Sequence, residues 1–229
     1  MFLLDVAGVL ILAYLIGSIP FGLIVVWIVN GQDIRTIASG RTGGTNAMRA
    51  AGLGAGIATA ILDGLKGAVA VWLARWFFPG AAWISVAAPI MAMMGHNYSI
   101  YLIERHENGR IHLGGGAGGA PCVGGAFGLW PPSLLIIVPL AAAIWYGVGY
   151  ASVTTMSIAL IAVVIFVVRA SLGLSPWIYV VYGVVAECVV LWALRPNIKR
   201  LINGTERLHG WRARKNAKRV TIKKNQALP

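Results

Sequence analysis

Long uninterrupted apolar runs dominate the chain, at 2–28, 53–78, 80–103, 153–170 and 176–194. A helix that crosses a bilayer needs about 20 mainly apolar residues, so each run is expected to be a helix in lipid. The first run is too long at its start, and too free of basic residues, for a cleaved signal peptide. Between Gly114 and Val148 the pattern is broken by Pro121, Pro131, Pro132 and Pro139. Proline ends or kinks a helix, which predicts a short helix over 119–130, a turn at Trp130-Pro131-Pro132 and another helix over 133–149. The count is then seven spans, with five as the alternative.

Composition agrees with a lipid environment. Of 229 residues, 58% are apolar and 11% charged, against about 25% charged in a soluble domain. An ordinary soluble fold and a disordered chain are both excluded. The fold class is an all-α polytopic membrane protein, with 1–194 as its transmembrane domain and 195–229 as a basic tail.

Charge adds direction to this picture. Eleven of the nineteen Lys and Arg residues lie between Arg195 and Lys224, directly after the last apolar run. That is the pattern of a cytoplasmic juxtamembrane tail drawn to anionic lipid rather than of a nucleic-acid binder. With the N-terminus outside, Arg35, Arg41, Arg49, Arg105 and Arg110 join the tail on one side, sixteen cations in all. Arg75 and Arg169 stay on the other, and Lys66 lies within a helix. The excess of cations inside predicts cytoplasmic segments at 29–52, 104–118 and 195–229.

These segments also hold the candidate chemistry. The first contains Ser39, Gly40, Gly43, Thr45, Asn46 and Arg49; glycines let backbone N–H groups line a concavity, and arginine offers a planar fork of donors to phosphate. Asp63 and Lys66 stand three apart on an apolar helix, where each neutralises part of the other's cost. His96 closes the third run as a potential proton acceptor. Arg110, His112 and the glycine-rich stretch from Gly114 to Gly119 follow. Pro196 can begin a short interfacial helix that places Asn197 and Arg200 on one face. The spacing of His96, His106 and His112 does not suit a metal, and Cys122 and Cys188 read as packing residues. Read alone, these segments describe an anion-binding cytoplasmic face and do not distinguish an enzyme from a transporter.

The order Gly17-Ser-Ile-Pro-Phe-Gly22, Ser39-Gly-x-x-Gly-x-Thr-Asn-x-x-Arg49, Leu62-Asp-x-x-Lys-Gly67, Gly95-His96 and Asn197-Ile-x-Arg-Leu-x-x-Gly-x-Glu206 resembles the bacterial acyl-phosphate glycerol-3-phosphate acyltransferases, the PlsY family. The resemblance implies a seven-helix protein of the bacterial inner membrane, its N-terminus outside and its active face cytoplasmic. It implies acyl transfer from acyl phosphate to glycerol 3-phosphate, giving lysophosphatidate for phospholipid synthesis. Ser39, Thr45, Asn46 and Arg49 match the first substrate-binding motif, and Asn197 with Glu206 the third. Ser39, His96 and Asn197 are therefore the candidates for catalysis. Gly40, Gly43, Thr45, Asn46, Arg49, Lys66, Arg110, Arg200 and Glu206 are the candidates for substrate binding. No metal, cofactor, nucleic acid or obligate protein partner is expected; the partners are acyl phosphate, glycerol 3-phosphate and membrane lipid. The chain departs from the family pattern at Arg41, Gly44 and Ser99, at Ala117 in place of a phosphate-binding lysine, and at Leu194 in place of a histidine. Arg41, Arg110 and His112 are the cations that could restore the lost charge. The alternative is a protein of the same fold that binds or transports lipid phosphates without acyl transfer.

The expected orientation can be checked in spheroplasts of a variant lacking Cys122 and Cys188. An impermeant thiol reagent added outside should label Asp5→Cys and leave Val220→Cys unlabelled, and the reverse pattern would invert the topology.

Overall fold

The computed structural model describes residues 1–105, 109, 111–210 and 212–213. The first apolar run is two helices, α1 (Phe2–Ser18) and α2 (Phe21–Asn30). Pro20 has no N–H to continue the ladder, and at the bend the Ile19 carbonyl accepts from the Phe21 N–H at 3.0 Å and from Lys66 Nζ. Helix α3 (Gly44–Phe77) is broken at Ala51 and Gly52, the latter at φ 86°. The break lies where the apolar run was expected to begin. Its short arm turns back so that Gly44 lies against Gly56 and Ala60, which folds the first polar motif onto the start of the long arm.

Helix α4 (Ala82–Asn97) stops six residues before the end of its apolar run. The hydroxyl of Ser99 accepts from the N–H of Tyr101 and donates to the carbonyl of Ser18, turning the chain there. Strands β1 (Ile103–Arg105) and β2 (Ile111–Leu113) then form a small antiparallel hairpin, Glu104 opposite His112. This corrects the all-α expectation: three-residue strands are too short to leave a period in the sequence. Helices α5 (Gly119–Leu129) and α6 (Ser133–Val148) flank the proline turn as expected. They are followed by α7 (Ala151–Ser171), α8 (Ile178–Ala193) and α9 (Arg195–Ile202).

Among the described residues, three stretches are long and apolar enough to span a membrane unaided: Phe2–Asn30, Gly44–Phe77 and Ala151–Ser171. Helices α8 and α9 form a further pair bent by 67°. The remaining apolar helices are shorter, and the bundle holds them by packing. Leu3 and Leu135 are each 77% exposed, a liability in water that a hydrocarbon surround removes.

Helix α3 is the hub, packed on α1, α2, α4 and α5. Its closest neighbour is α5, where a Cβ on Gly124 would overlap the carbonyl of Gly64. Small residues let helix backbones touch in membranes. Arg75 closes the far end of α5 by donating to the carbonyls of Gly128 and Leu129, both at 2.9 Å, and to the Tyr179 hydroxyl. A second core gathers around Phe166 and the fully buried Tyr182, whose hydroxyl donates to the Cys122 carbonyl at 2.7 Å.

Gly124→Val should force α3 and α5 apart at a cost of about 1–3 kcal/mol. The expected outcome is a lowered Tm of the detergent-solubilised protein, while Gly147→Ala, where a Cβ meets open space, leaves it level.

Candidate active site

The three polar segments meet at one cavity of about 860 Å³. The first is folded by Asn46, whose amide Nδ2 donates to the carbonyls of Ile34, Ile37 and Arg41 at 3.1, 3.0 and 2.9 Å. Ala38 and Gly40 take left-handed conformations, with φ 47° and 69°, and turn Ser39 toward the cavity rim. Thr42 N–H then bonds to the Gly115 carbonyl, joining this loop to the glycine-rich second segment. The second segment is seated on the end of α4, where Gly116 N–H donates to the His96 carbonyl at 2.8 Å. A Cβ on Gly116 would strike His96 Nε2, so only glycine permits that approach.

Arg41 ties all three segments together. Its guanidinium donates to the Gly116 carbonyl at 3.3 Å, the Ala193 carbonyl at 2.6 Å and Asn197 Oδ1 at 3.3 Å. This places a cation beside Ala117, where the resemblance leads one to expect lysine. Burial, with a smaller contribution from Arg200, lowers the Arg41 pKa; a bound anion would relieve both effects. In the third segment Glu206 accepts from Asn197 Nδ2 at 2.8 Å, from Arg200 Nε at 2.9 Å and from the Ser152 hydroxyl at 3.3 Å.

Behind the glycine loop lies a buried ionic cluster. Asp63 Oδ1 is 2.7 Å from Lys66 Nζ and 3.5 Å from His96 Nδ1. Asp63 and His96 line the cavity, whereas Lys66 lies behind Asp63, between the Ile19 carbonyl and the Phe21 ring. An ammonium so enclosed neutralises Asp63 and does not reach a ligand in the cavity.

Of the residues expected from sequence, the cavity brings together Ser39, Gly43, Thr45, Asn46, Arg49, His96, Asn197, Arg200 and Glu206. Gly40 forms the turn behind them and Lys66 lies off the lining. Arg110 lies outside the described residues, and so do His106 and all but the first part of the basic tail. Arg207, Trp145 and Ser152 also line the cavity, and no local motif announces them. Among the described residues, Arg41, Arg49 and Arg207 form no ion pair with a carboxylate.

The remainder of the cavity is apolar, a channel among α3, α5, α6 and α7 that includes Ile57, Ile61, Phe127 and Val138. The segment after Glu206 crosses its mouth. There the His209 ring stacks on Trp145 with ring centres 4.3 Å apart, the His209 backbone N–H donates to the Gly149 carbonyl, and Arg212 donates to the Val148 carbonyl.

A family model for glycerol-3-phosphate acyltransferase matches residues 7–204. The chain is 37% identical over 203 residues to the glycerol-3-phosphate acyltransferase of Rubrobacter xylanophilus, covering 89% of this chain and 94% of that one. It is 37% identical over 204 residues to that of Thermus thermophilus, covering 89% and 95%. Among solved structures it is similar to PlsY, an integral membrane glycerol 3-phosphate acyltransferase, in its glycerol 3-phosphate form. The TM-score is 0.74 at 28% identity, over 90% of this chain and 96% of that chain. The lysophosphatidic acid form gives a TM-score of 0.70 at 25% identity, with the same coverage.

The strap over the mouth should respond to pH. Burial, then the nearby Arg49, push the His209 pKa from 6.5 down to about 4. A depressed histidine contributes stability that is present above its released value and lost as the pH falls through its bound value. Labelling of Leu208→Cys should therefore accelerate, relative to the same cysteine in a His209→Phe background, as the pH drops from about 6.5 toward 4.

Proposed function

Because the chain belongs to the glycerol-3-phosphate acyltransferase family and is an integral membrane acyltransferase, we propose that its acyl donor is an acyl phosphate. The acyl group passes to a hydroxyl of glycerol 3-phosphate, giving lysophosphatidate and inorganic phosphate. One observation carries this reading: a single cavity has uncompensated arginines at one end and a hydrocarbon channel at the other. An acyl phosphate is divided in the same way. The solved PlsY forms with glycerol 3-phosphate and with lysophosphatidic acid support a phosphate-bearing acceptor and a lipid product.

In this reading Arg41, Arg49 and Arg207 hold the two phosphates, with Ser39, Gly43 and Thr45 lining the same end. Asn197, Arg200 and Glu206 fix the third segment against them. Acyl phosphate is already activated, so positioning the acceptor hydroxyl about 3 Å from the acyl carbon supplies much of the rate. The hydroxyl oxygen attacks the acyl carbonyl carbon and its proton passes to His96 Nε2. The bond from that carbon to the phosphate oxygen then breaks, and phosphate leaves with the electron pair. Asp63, 3.5 Å from His96 Nδ1, favours the imidazolium that forms, and the arginines stabilise the developing charge. Lys66 acts through Asp63 rather than on the substrate. Asn46 acts chiefly by folding the first loop, since its amide is committed to three carbonyls.

The proposal includes the setting. Counting α1 with α2, seven apolar segments cross the bacterial inner membrane, with the N-terminus outside and the cavity mouth in the cytoplasm. Residues 1–194 form the transmembrane unit and 195–229 the basic cytoplasmic tail. The cation distribution along the sequence supports this arrangement.

The direct test is purified protein with palmitoyl phosphate and labelled glycerol 3-phosphate, which should yield labelled lysophosphatidate; no labelled product would overturn the donor assignment. Arg41→Ala and Arg49→Ala should each lower kcat/KM about tenfold or more, since charge-assisted bonds contribute about 1.5–3 kcal/mol. Arg35→Ala removes only the exposed pairs to Asp33 and Glu104 and should leave kcat/KM nearly unchanged.

A further inference from the structure

The apolar channel has an end, and its position is written into three helices. On α6 the lining residues Leu134, Val138, Ala141 and Trp145 follow one face from the far end to the charged mouth. On α3 the lining residues Gly56, Ala60, Gly64 and Ala68 do the same in the opposite sense. At 1.5 Å per residue these stripes give a depth of about 16–18 Å, close to one leaflet of a hydrocarbon core about 30 Å thick. Beside this small-residue stripe, Ile57, Ile61 and Leu65 of α3 also line the channel.

The deepest lining residues are Ala68 on α3, Phe127 on α5 and Leu134 on α6. There α3 and α5 remain in contact, as they are at Gly64 and Gly124: a Cβ placed on Gly128 would lie 2.8 Å from Val71 Cβ and 3.2 Å from Ala68 Cα. No room for a methylene remains past that contact. Phe127 is held in place by Trp72, which meets its ring edge to face at 6.0 Å from the membrane-exposed side of α3. Trp72 is not part of the lining, so it acts as a buttress.

We propose that Phe127, backed by Trp72 and facing Ala68, is the stop against which the acyl chain is measured, and so sets chain-length preference. This rests on the acyl-donor reading above. A chain that ends at the wall lies along the lining, while a longer one must displace the Phe127 ring or leave its headgroup out of register with the arginines. Because a methylene outside the pocket rests in lipid rather than water, the discrimination is steric and acts against chains that are too long.

The test is a donor series of lauroyl, myristoyl, palmitoyl, stearoyl and arachidoyl phosphate. Phe127→Ala should move the optimum to a longer chain, raising the ratio of kcat/KM for the longer donor about tenfold. Trp72→Ala should move it the same way by less, and Ala68→Leu should move it to a shorter chain. Binding of lysophosphatidates with the same chains to parent and variants reads the wall independently of turnover. Opposite shifts from Phe127→Ala and Ala68→Leu support the proposal. Profiles that superimpose on the parent, or that move in one direction for both, overturn it. Phe127→Leu, a milder change, replaces the alanine variant if the latter does not fold. If the parent uses none of the acyl phosphates yet the lysophosphatidate profile still shifts as described, the donor assignment fails and the measuring wall stands.

Discussion

A guanidinium withdrawn from water must find several acceptors at once, and Arg41 finds them on segments 75, 152 and 156 residues away in sequence. Two of the three are backbone carbonyls and the third is the amide of Asn197, so its positive charge is solvated by dipoles but not neutralised. That combination fixes the mutual position of the glycine loop, the start of α9 and the first polar loop. It also leaves net charge at the place where they join. Asn46 does the corresponding work within the first loop, gathering the carbonyls of Ile34, Ile37 and Arg41 onto one amide. Remove these two hubs and the cavity keeps its hydrocarbon walls but loses the geometry of its polar end.

The second constraint is the cost of charge among apolar helices. Asp63 and Lys66 are 1% and 2% exposed as side chains, and an isolated charge at such depth is costly. They neutralise each other, and Lys66 also donates to the Ile19 carbonyl at the bend before Pro20. The bend between α1 and α2 is thus coupled to the site: the same lysine holds the chain at that bend and steadies the carboxylate beside His96. Buried polar groups of this kind favour one arrangement because every alternative leaves a group unpaired.

Much of this was legible in the sequence because apolar runs and prolines act locally. The short helix, proline turn and following helix between Gly119 and Val148 lie where the prolines put them. The short helix at Pro196 also formed, with Asn197 and Arg200 both turned to Glu206. Misjudgements arose where a distant partner decides. The run at 80–103 ends early because Ser99 is tied to Ser18, a contact between separate helices. Lys66 read as a possible ligand for substrate, yet its direction is set by Ile19 and Phe21. Arg41 stood out as a departure and as one of three cations that could restore the lost charge, but its carbonyl partners could not be inferred from spacing. The hairpin of β1 and β2 was too brief to leave a period.

Helix α5 has eleven residues, about 16 Å of length, roughly half the thickness of a bilayer core. Its sides are enclosed by α3, α4, α6, α7 and α8 rather than by lipid. The glycine-rich end of α5, beside Ala117 and His96, therefore sits at a depth that water-soluble molecules do not reach in an unperturbed bilayer. The short helix shortens the path between the aqueous phase and the membrane interior, and the packing of five helices around it lets the protein, not the lipid, absorb the shortfall.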